Sequence, residues 1–325
     1  MTEPPQRTID KAVREALDQA YGINATLQRL PGENLNFEVV ADDGRCWVAK
    51  VAGDQQPPEF TALEHAALQH ASRSEIRLGL PHIHENKFGE LETVLELCES
   101  WSKRLRVIHF IDGTVWPETT DISENLRFDL GRNLARFDAI MANFDHPEAH
   151  RHHRWELARA DQHRDAVRLI GEPEKRELLN WAFHQFTNDI SPVLNRLSDQ
   201  FIHGDANREN LLIRGERLIG LVDFGDCCWN PSVCELAIAI TYQMMDEPDP
   251  WAAAAPVIAG FESVRPLSDE ERALLPGLVA ARLANTLAVC AERRRIDPDH
   301  PNWFVSEAPA WRLLNRLRPP VAAAV

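Results

Sequence analysis

The residues best suited to chemistry lie in one stretch, Phe201–Phe224, which reads FIHGDANRENLLIRGERLIGLVDF. An apolar run leads into His203-Gly204-Asp205, Asn210 follows five residues after Asp205, and Asp223 ends a second apolar run. Phosphoryl transfer needs a carboxylate to orient the acceptor hydroxyl, and oxygen ligands for a magnesium ion that bridges the nucleotide phosphates. Asp205, Asn210 and Asp223 are the residue types for those two tasks. Carboxylates set between apolar strands are costly to bury unless a cation balances them. The plainer alternative makes this Asp and Asn turn caps, and the order and spacing of the two motifs together argue against it.

A short hairpin must bring Asp223 back to Asp205. Leu211–Ile213 and Leu218–Asp223 read as its strands, turning at Arg214-Gly215-Glu216. Farther upstream, Ala25–Leu30, Asn36–Ala41 and Cys46–Val51 alternate apolar and polar residues, with Asp42-Asp43-Gly44 as a hairpin signal. A helix is expected over TALEHAALQHA from Thr61, then strands at Thr93–Leu97 and Arg106–Ile111. After Asp112-Gly113 the periodicity turns helical, at Leu126–Phe144, Lys175–Leu197, Cys234–Met245, Asp269–Cys290 and Pro309–Leu317. The reading is an α+β chain of two lobes. Residues 1–111 form an antiparallel sheet with one helix, and residues 112–325 a larger helical lobe.

The 325 residues are 44% hydrophobic and 26% charged, enough for a sizeable core. A net charge of -15 disfavours nucleic acid or an anionic membrane as partner, because no basic surplus exists to neutralise phosphates. It favours a cationic small molecule. The polar start lacks a signal-peptide core, and the longest apolar stretch, near Leu278, is interrupted by Arg282 and Asn285. The six scattered cysteines show no C-x-x-C pair. A cytoplasmic protein is expected.

The pattern H-G-D-x-x-x-x-N, followed by an apolar strand and D-F-G-D, resembles the aminoglycoside phosphotransferase and choline kinase group. That resemblance implies a bilobal protein-kinase-like fold, Asp205 as catalytic base, and Asn210 and Asp223 as magnesium ligands. Lys50, ending CWVAKV, stands where a kinase places its phosphate-contacting lysine. Glu64 is its expected ion-pair partner, with Glu59 as competitor. Asn34 and Asn36, in PGENLNF, either donate to phosphate or simply form the turn. The backbone at His109 and Ile111 matches the hinge that meets the purine. ATP or GTP is the implied donor.

Within this group the chain resembles the hydroxylysine kinases. The likeness extends to LGRNLARFDAIMANFDHPEAH from Leu130, ELAIAITYQMM from Glu235 and VIAGFESVRPL from Val257, all outside the phosphate machinery. It implies a hydroxylated amine or amino acid, 5-hydroxy-L-lysine foremost, as acceptor. Asp226 either holds a substrate ammonium or acts as an N-cap or as a group that supports the metal ligands from behind. Arg282 either meets the substrate carboxylate or forms a structural salt bridge. His150, His152 and His153 read as a solvated loop, and Trp229 as packing or a partner for a cation. Antibiotic phosphorylation and a silent nucleotide-binding protein are the competing readings. The intact Lys50, Asp205, Asn210 and Asp223 set opposes the second. A protein kinase is disfavoured because a helix is expected near Ser232, leaving no room for a long activation segment.

Overall fold

The computed structural model describes residues 4–30, 35–52, 57–74, 76–98, 101–119, 122–300 and 302–319. Its contacts divide the chain into two units, one of residues 1–69 and 80–112, the other of residues 70–79 and 113–325. The short segment 70–79 thus belongs with the C-terminal residues.

The first unit is built on an antiparallel sheet. Its strands are β1 (Ala25–Leu30), β2 (Leu35–Ala41), β3 (Cys46–Val51), β4 (Ile83–His84), β5 (Thr93–Cys98) and β6 (Trp101–His109). They run in the order β1-β2-β3-β6-β4, with β5 also pairing β6. Gly44 makes the β2–β3 turn with φ 83°, a left-handed conformation that glycine adopts without a Cβ penalty. Phe37, Val39, Trp47, Ala49, Val51, Leu105 and Val107 form one side of the core. The other side is a helix the sequence reading passed over, α1 (Gln6–Ala16), which carries Ile9, Val13 and Leu17 into that core. Their i, i+4, i+8 spacing is the signal that identifies it. This unit therefore contains α1 besides most of the expected helix, α2 (Pro58–Ser72), whose last residues, 70–72, fall in the other unit. Strand β6 also begins earlier than expected, because its charged residues Lys103 and Arg104 pair in register with β5.

The second unit is mainly helical. It contains β7 (Thr114–Val115), α3 (Glu124–Met141), α4 (Pro173–Gln185), α5 (Ser191–Leu194), β8 (Asp199–Ile202), β9 (Leu211–Arg214), β10 (Arg217–Leu221), β11 (Cys228–Pro231), α6 (Val233–Met244), α7 (Pro250–Glu262), α8 (Asp269–Arg293) and α9 (Glu307–Leu317). Ser268 and Glu271 form a capping box that starts α8. By length and composition α8 could cross a membrane, yet 89% of its apolar window is buried within the fold, as expected of a core helix. Helices α3 and α7 pack at backbone distance. A Cβ on Gly131 would overlap the Val257 carbonyl, and one on Gly260 the Phe128 carbonyl. Two of the family-like stretches, from Leu130 and Val257, are thus two sides of one helix contact. β9 pairs with β10, and β8 with β11, fixing the frame for the loop after Ile202.

Candidate active site

Strand β8 ends at Ile202 and delivers the buried His203. The His203 Nε2 lies 3.1 Å from the Val222 carbonyl, while Nδ1 lies 3.3 Å from the Asp205 amide. Together these contacts fit a neutral ring donating from Nε2 and accepting at Nδ1. Gly204 follows with φ 76°, and a Cβ there would sit 2.7 Å from the Asp226 carbonyl oxygen. That close approach explains why glycine stands between His203 and Asp205. The Gly204 amide donates to the buried Glu235 carboxylate at 2.9 Å.

The Asp205 carboxylate is fixed from both oxygens. Its Oδ2 accepts from Asn207 Nδ2 at 2.8 Å and from Asn210 Nδ2 at 2.9 Å. Its Oδ1 accepts from the Arg282 guanidinium at 2.9 Å. Asn207 has a second task, because its side-chain oxygen caps the turn Arg208–Asn210 by accepting from the Glu209 and Asn210 amides. Asn210 Nδ2 also donates to the Asp205 carbonyl at 2.9 Å. The Asn210 carbonyl accepts from the Val222 amide at 3.0 Å, tying the hairpin return to the Asp205 loop. Asp223 comes next, with φ 65° and ψ 77°. A non-glycine residue in this left-handed region costs about 1–3 kcal/mol and is characteristic of functional sites.

These residues fit a divalent cation. The Asn210 amide nitrogen is committed to Asp205, so its side-chain oxygen is the atom left for a metal. With Asp223 it makes an all-oxygen pair suited to magnesium, which completes its shell from phosphates and water. The surrounding charge favours the same occupant. Burial raises the Asp205 pKa while Arg282 opposes it. Asp226 is pushed up to about 8, first by burial and then by the Asp205 and Asp223 carboxylates.

His153 departs from its expected solvated loop. Its side chain is 13% exposed, against 48% for His150 and 62% for His152, and Nδ1 lies 3.6 Å from Asp226. Burial, then Arg151 and Arg282, lowers its pKa to about 3, so the ring is neutral. Trp229 packs its ring against His150 at 4.8 Å. Arg282 is 2% exposed and spends its guanidinium on Asp205, the Tyr242 hydroxyl at 3.0 Å and the Trp155 carbonyl at 3.2 Å. Of its two expected roles, the contacts are those of a salt bridge, made with the candidate base itself. Asn207 and Tyr242 are not singled out by the sequence, and His153 and Trp155 are expected there only as a solvated loop and a packing residue. Only Asn207 had a local signal, as an Asn opening a turn ahead of Glu209 and Asn210.

The nucleotide-binding candidates lie in the first unit, except Asn34, which falls outside the described residues. Asn36 on β2, Lys50 on β3 and Arg106 on β6 stand directly opposite one another across the sheet. The Asn36 Oδ1 is buried without a hydrogen-bond partner. Glu64, expected beside Lys50, is 2% exposed and forms an ion pair of 2.8 Å with Arg106. Glu59, the competitor, is exposed on the first turn of α2. Arg106 also donates to Thr61 at 3.1 Å, and Thr61 to Glu92 at 2.7 Å. The His109 amide donates to the His82 carbonyl at 2.9 Å, so this expected purine donor is already used within the unit. Ile111 lies two residues beyond β6 and is partly buried.

The chain is similar to known proteins. The family model described as the phosphotransferase enzyme family matches residues 26–275. A hydroxylysine kinase of Danio rerio is 25% identical over 323 residues, covering 94% of this chain and 90% of the relative. An amicoumacin kinase solved with AMP-PNP and calcium superposes with a TM-score of 0.73 at 13% identity, over 97% of each chain. A microcompartment-associated aminopropanol kinase reaches a TM-score of 0.68 at 18% identity, over 94% of this chain and 96% of that one. The fold is the expected protein-kinase-like one, a sheet-rich unit followed by a helical unit. The chain belongs to the phosphotransferase enzyme family and is a phosphotransferase that acts on an alcohol group.

Proposed function

We propose that this chain transfers the γ-phosphoryl group of ATP or GTP to the hydroxyl of a small hydroxylated amine, with 5-hydroxy-L-lysine as the acceptor. The observation that carries the proposal is the Asp205 carboxylate, fixed by Asn207, Asn210 and Arg282 beside an Asn210 oxygen left for a cation. The acceptor oxygen forms the new bond to phosphorus, and the bond to the β,γ-bridging oxygen breaks. Asp205 takes the hydroxyl proton, and the nucleoside diphosphate leaves. Asn210 and Asp223 would hold magnesium, which when bound neutralises charge on the phosphates. Lys50 would meet the phosphates, with Asn36 across from it and Glu64 and Arg106 bracing that part of the sheet. His109 and Ile111 would lie at the base.

Asp226 is the third carboxylate of the cluster and is assigned the acceptor's ammonium, with His153 as its neutral neighbour. Because Arg282 is committed to Asp205, the acceptor's carboxylate falls to Arg151. That half-buried side chain is anchored by the Glu148 and Gly225 carbonyls, and its charge reaches Asp226. A site that meets both charges rejects a molecule lacking one, since the partner is left unpaired. The test is kcat/KM with ATP and with GTP for hydroxylysine, homoserine, choline and kanamycin, with lysine as competitor. Hydroxylysine is expected to lead. A tenfold advantage for any of the other three acceptors would overturn the acceptor assignment and leave the kinase reading standing.

A further inference from the structure

Arg282 sits in the middle of α8, on an apolar helix, and is 2% exposed. A cation so placed is costly unless it is paired and hydrogen-bonded. Three regions far apart in sequence engage its two terminal nitrogens, while Nε is buried without a hydrogen-bond partner. Asp205 Oδ1 accepts at 2.9 Å, the Tyr242 hydroxyl on α6 lies at 3.0 Å, and the Trp155 carbonyl accepts at 3.2 Å. The guanidinium carbon also lies over the Trp155 ring at 5.1 Å and the Tyr242 ring at 5.5 Å, which adds a cation–π hold to the hydrogen bonds.

The opposite oxygen of Asp205 is filled. An ionised carboxylate has about two acceptor sites on each oxygen. Oδ2 uses both, on Asn207 and Asn210, whereas Oδ1 uses one, on Arg282. We infer that Arg282 is a positioning residue for the catalytic base, clamping Asp205 so that the acceptor hydroxyl addresses the remaining site on Oδ1. This rests on the reading of Asp205 as the base. It gives Arg282 a task in turnover, apart from the substrate and apart from simple bracing of the helices. A buried ion pair is by itself weak support for stability, and replacing both members with apolar groups is often neutral. The clamp, by contrast, matters to rate, because a misplacement of about 1 Å can cost on the order of 100-fold.

Arg282→Lys, Arg282→Ala and Tyr242→Phe are compared with wild type at a temperature where each is folded by circular dichroism. Arg282→Lys keeps the charge but not the planar fork, and is expected to lower kcat at least about tenfold with nucleotide KM unchanged. Tyr242→Phe removes one hold on the guanidinium without touching Asp205. It is expected to give the same kcat-only defect at about three- to tenfold. Methylguanidinium is expected to restore part of the kcat of Arg282→Ala, which a bracing role would not predict. Wild-type kcat in both Arg282→Lys and Tyr242→Phe would overturn the inference. So would a defect confined to the KM of the acceptor, which would place Arg282 on the substrate. If the Arg282 variants do not fold, Tyr242→Phe decides alone. If wild type phosphorylates no hydroxylated amine, the acceptor reading fails. The kcat split is then read on nucleotide hydrolysis, where water replaces the acceptor at the same base.

Discussion

In each unit a buried arginine meets a carboxylate, Arg106 with Glu64 and Arg282 with Asp205, and these two pairs are anchored differently. In the first, Glu64 and Arg106 both belong to regular elements, α2 and β6, and meet at 2.8 Å. Helix and strand geometry holds each in place, so either can be lost without redirecting the other. In the second, Arg282 comes from a helix but Asp205 comes from a loop, and two asparagines of that loop share the work of aiming it. A loop carboxylate has no ladder or helix to fix its direction. Its hydrogen bonds are its only frame. The first pair therefore braces the row that carries Lys50, and the second carries the aiming proposed above for Asp205.

The largest effect is expected from Asp205→Asn. Loss of a general base typically costs ~10²–10⁴-fold, and kcat should carry the loss. Steady-state assays and calorimetry of Mg-nucleotide binding check this. Retention of more than about a tenth of wild-type kcat would place the base elsewhere and dissolve the contrast between the pairs.

The brace is tested by stability. Arg106→Met strands Glu64 in a buried site, and breaking a buried pair costs about 3–5 kcal/mol. Urea denaturation of Arg106→Met, Glu64→Gln and the double variant should show strong coupling, with the double variant less destabilised than the sum. Activity should fall less than in Asp205→Asn. Additive effects would mean that the two side chains do not act as a unit.

A smaller effect concerns the anchor behind the aimed loop. Burial raises Glu235 from 4.5 to about 7, against the pull of the Gly204 and His203 amides. Between those values the folded chain holds a proton that the unfolded chain releases. Stability from this group is therefore full below pH 4.5 and is lost as pH rises through about 7, on the order of 3 kcal/mol. Glu235→Gln keeps an acceptor for the Gly204 amide and removes the charge. Its stability should be flatter over that window and higher than wild type at pH 8. An unchanged profile would show that Glu235 is not the titrating group.

The smallest effect is expected at an exposed pair of similar geometry. Arg45 and Asp43 meet at 2.8 Å with side chains 70% and 52% exposed. Arg45→Ala should leave Tm without a resolvable change, because water screens such a pair. A clear drop would show that geometry alone, without burial, accounts for the strength of the other two.

Much of the fold was legible because its signals are local. β1 and β3 follow their alternation, and the β2–β3 turn follows its Asp-Asp-Gly. α1 was missed even though its spacing marks it, because its charged residues outweigh its few apolar ones by composition. α7 also went unassigned. Its start is marked locally by the Asp249 cap and Pro250, whereas its close contact with α3 at Gly131 and Gly260 is not.

The loop that holds the proposed base is encoded locally, since Asp205, Asn207 and Asn210 lie close in sequence and bond to one another across two to five residues. So is the return of Asp223 on a hairpin, since the turn at Gly215 is written in adjacent residues. The partners of the two arginines, by contrast, come from packing between distant elements. Arg282 reaches Asp205 across 77 positions, and Arg106 meets Glu64 because a helix and a strand come together. Spacing along a chain encodes contacts within an element. Contacts between elements depend on how whole faces pack, and a buried arginine in an apolar helix looks the same in sequence whichever carboxylate packing brings to it.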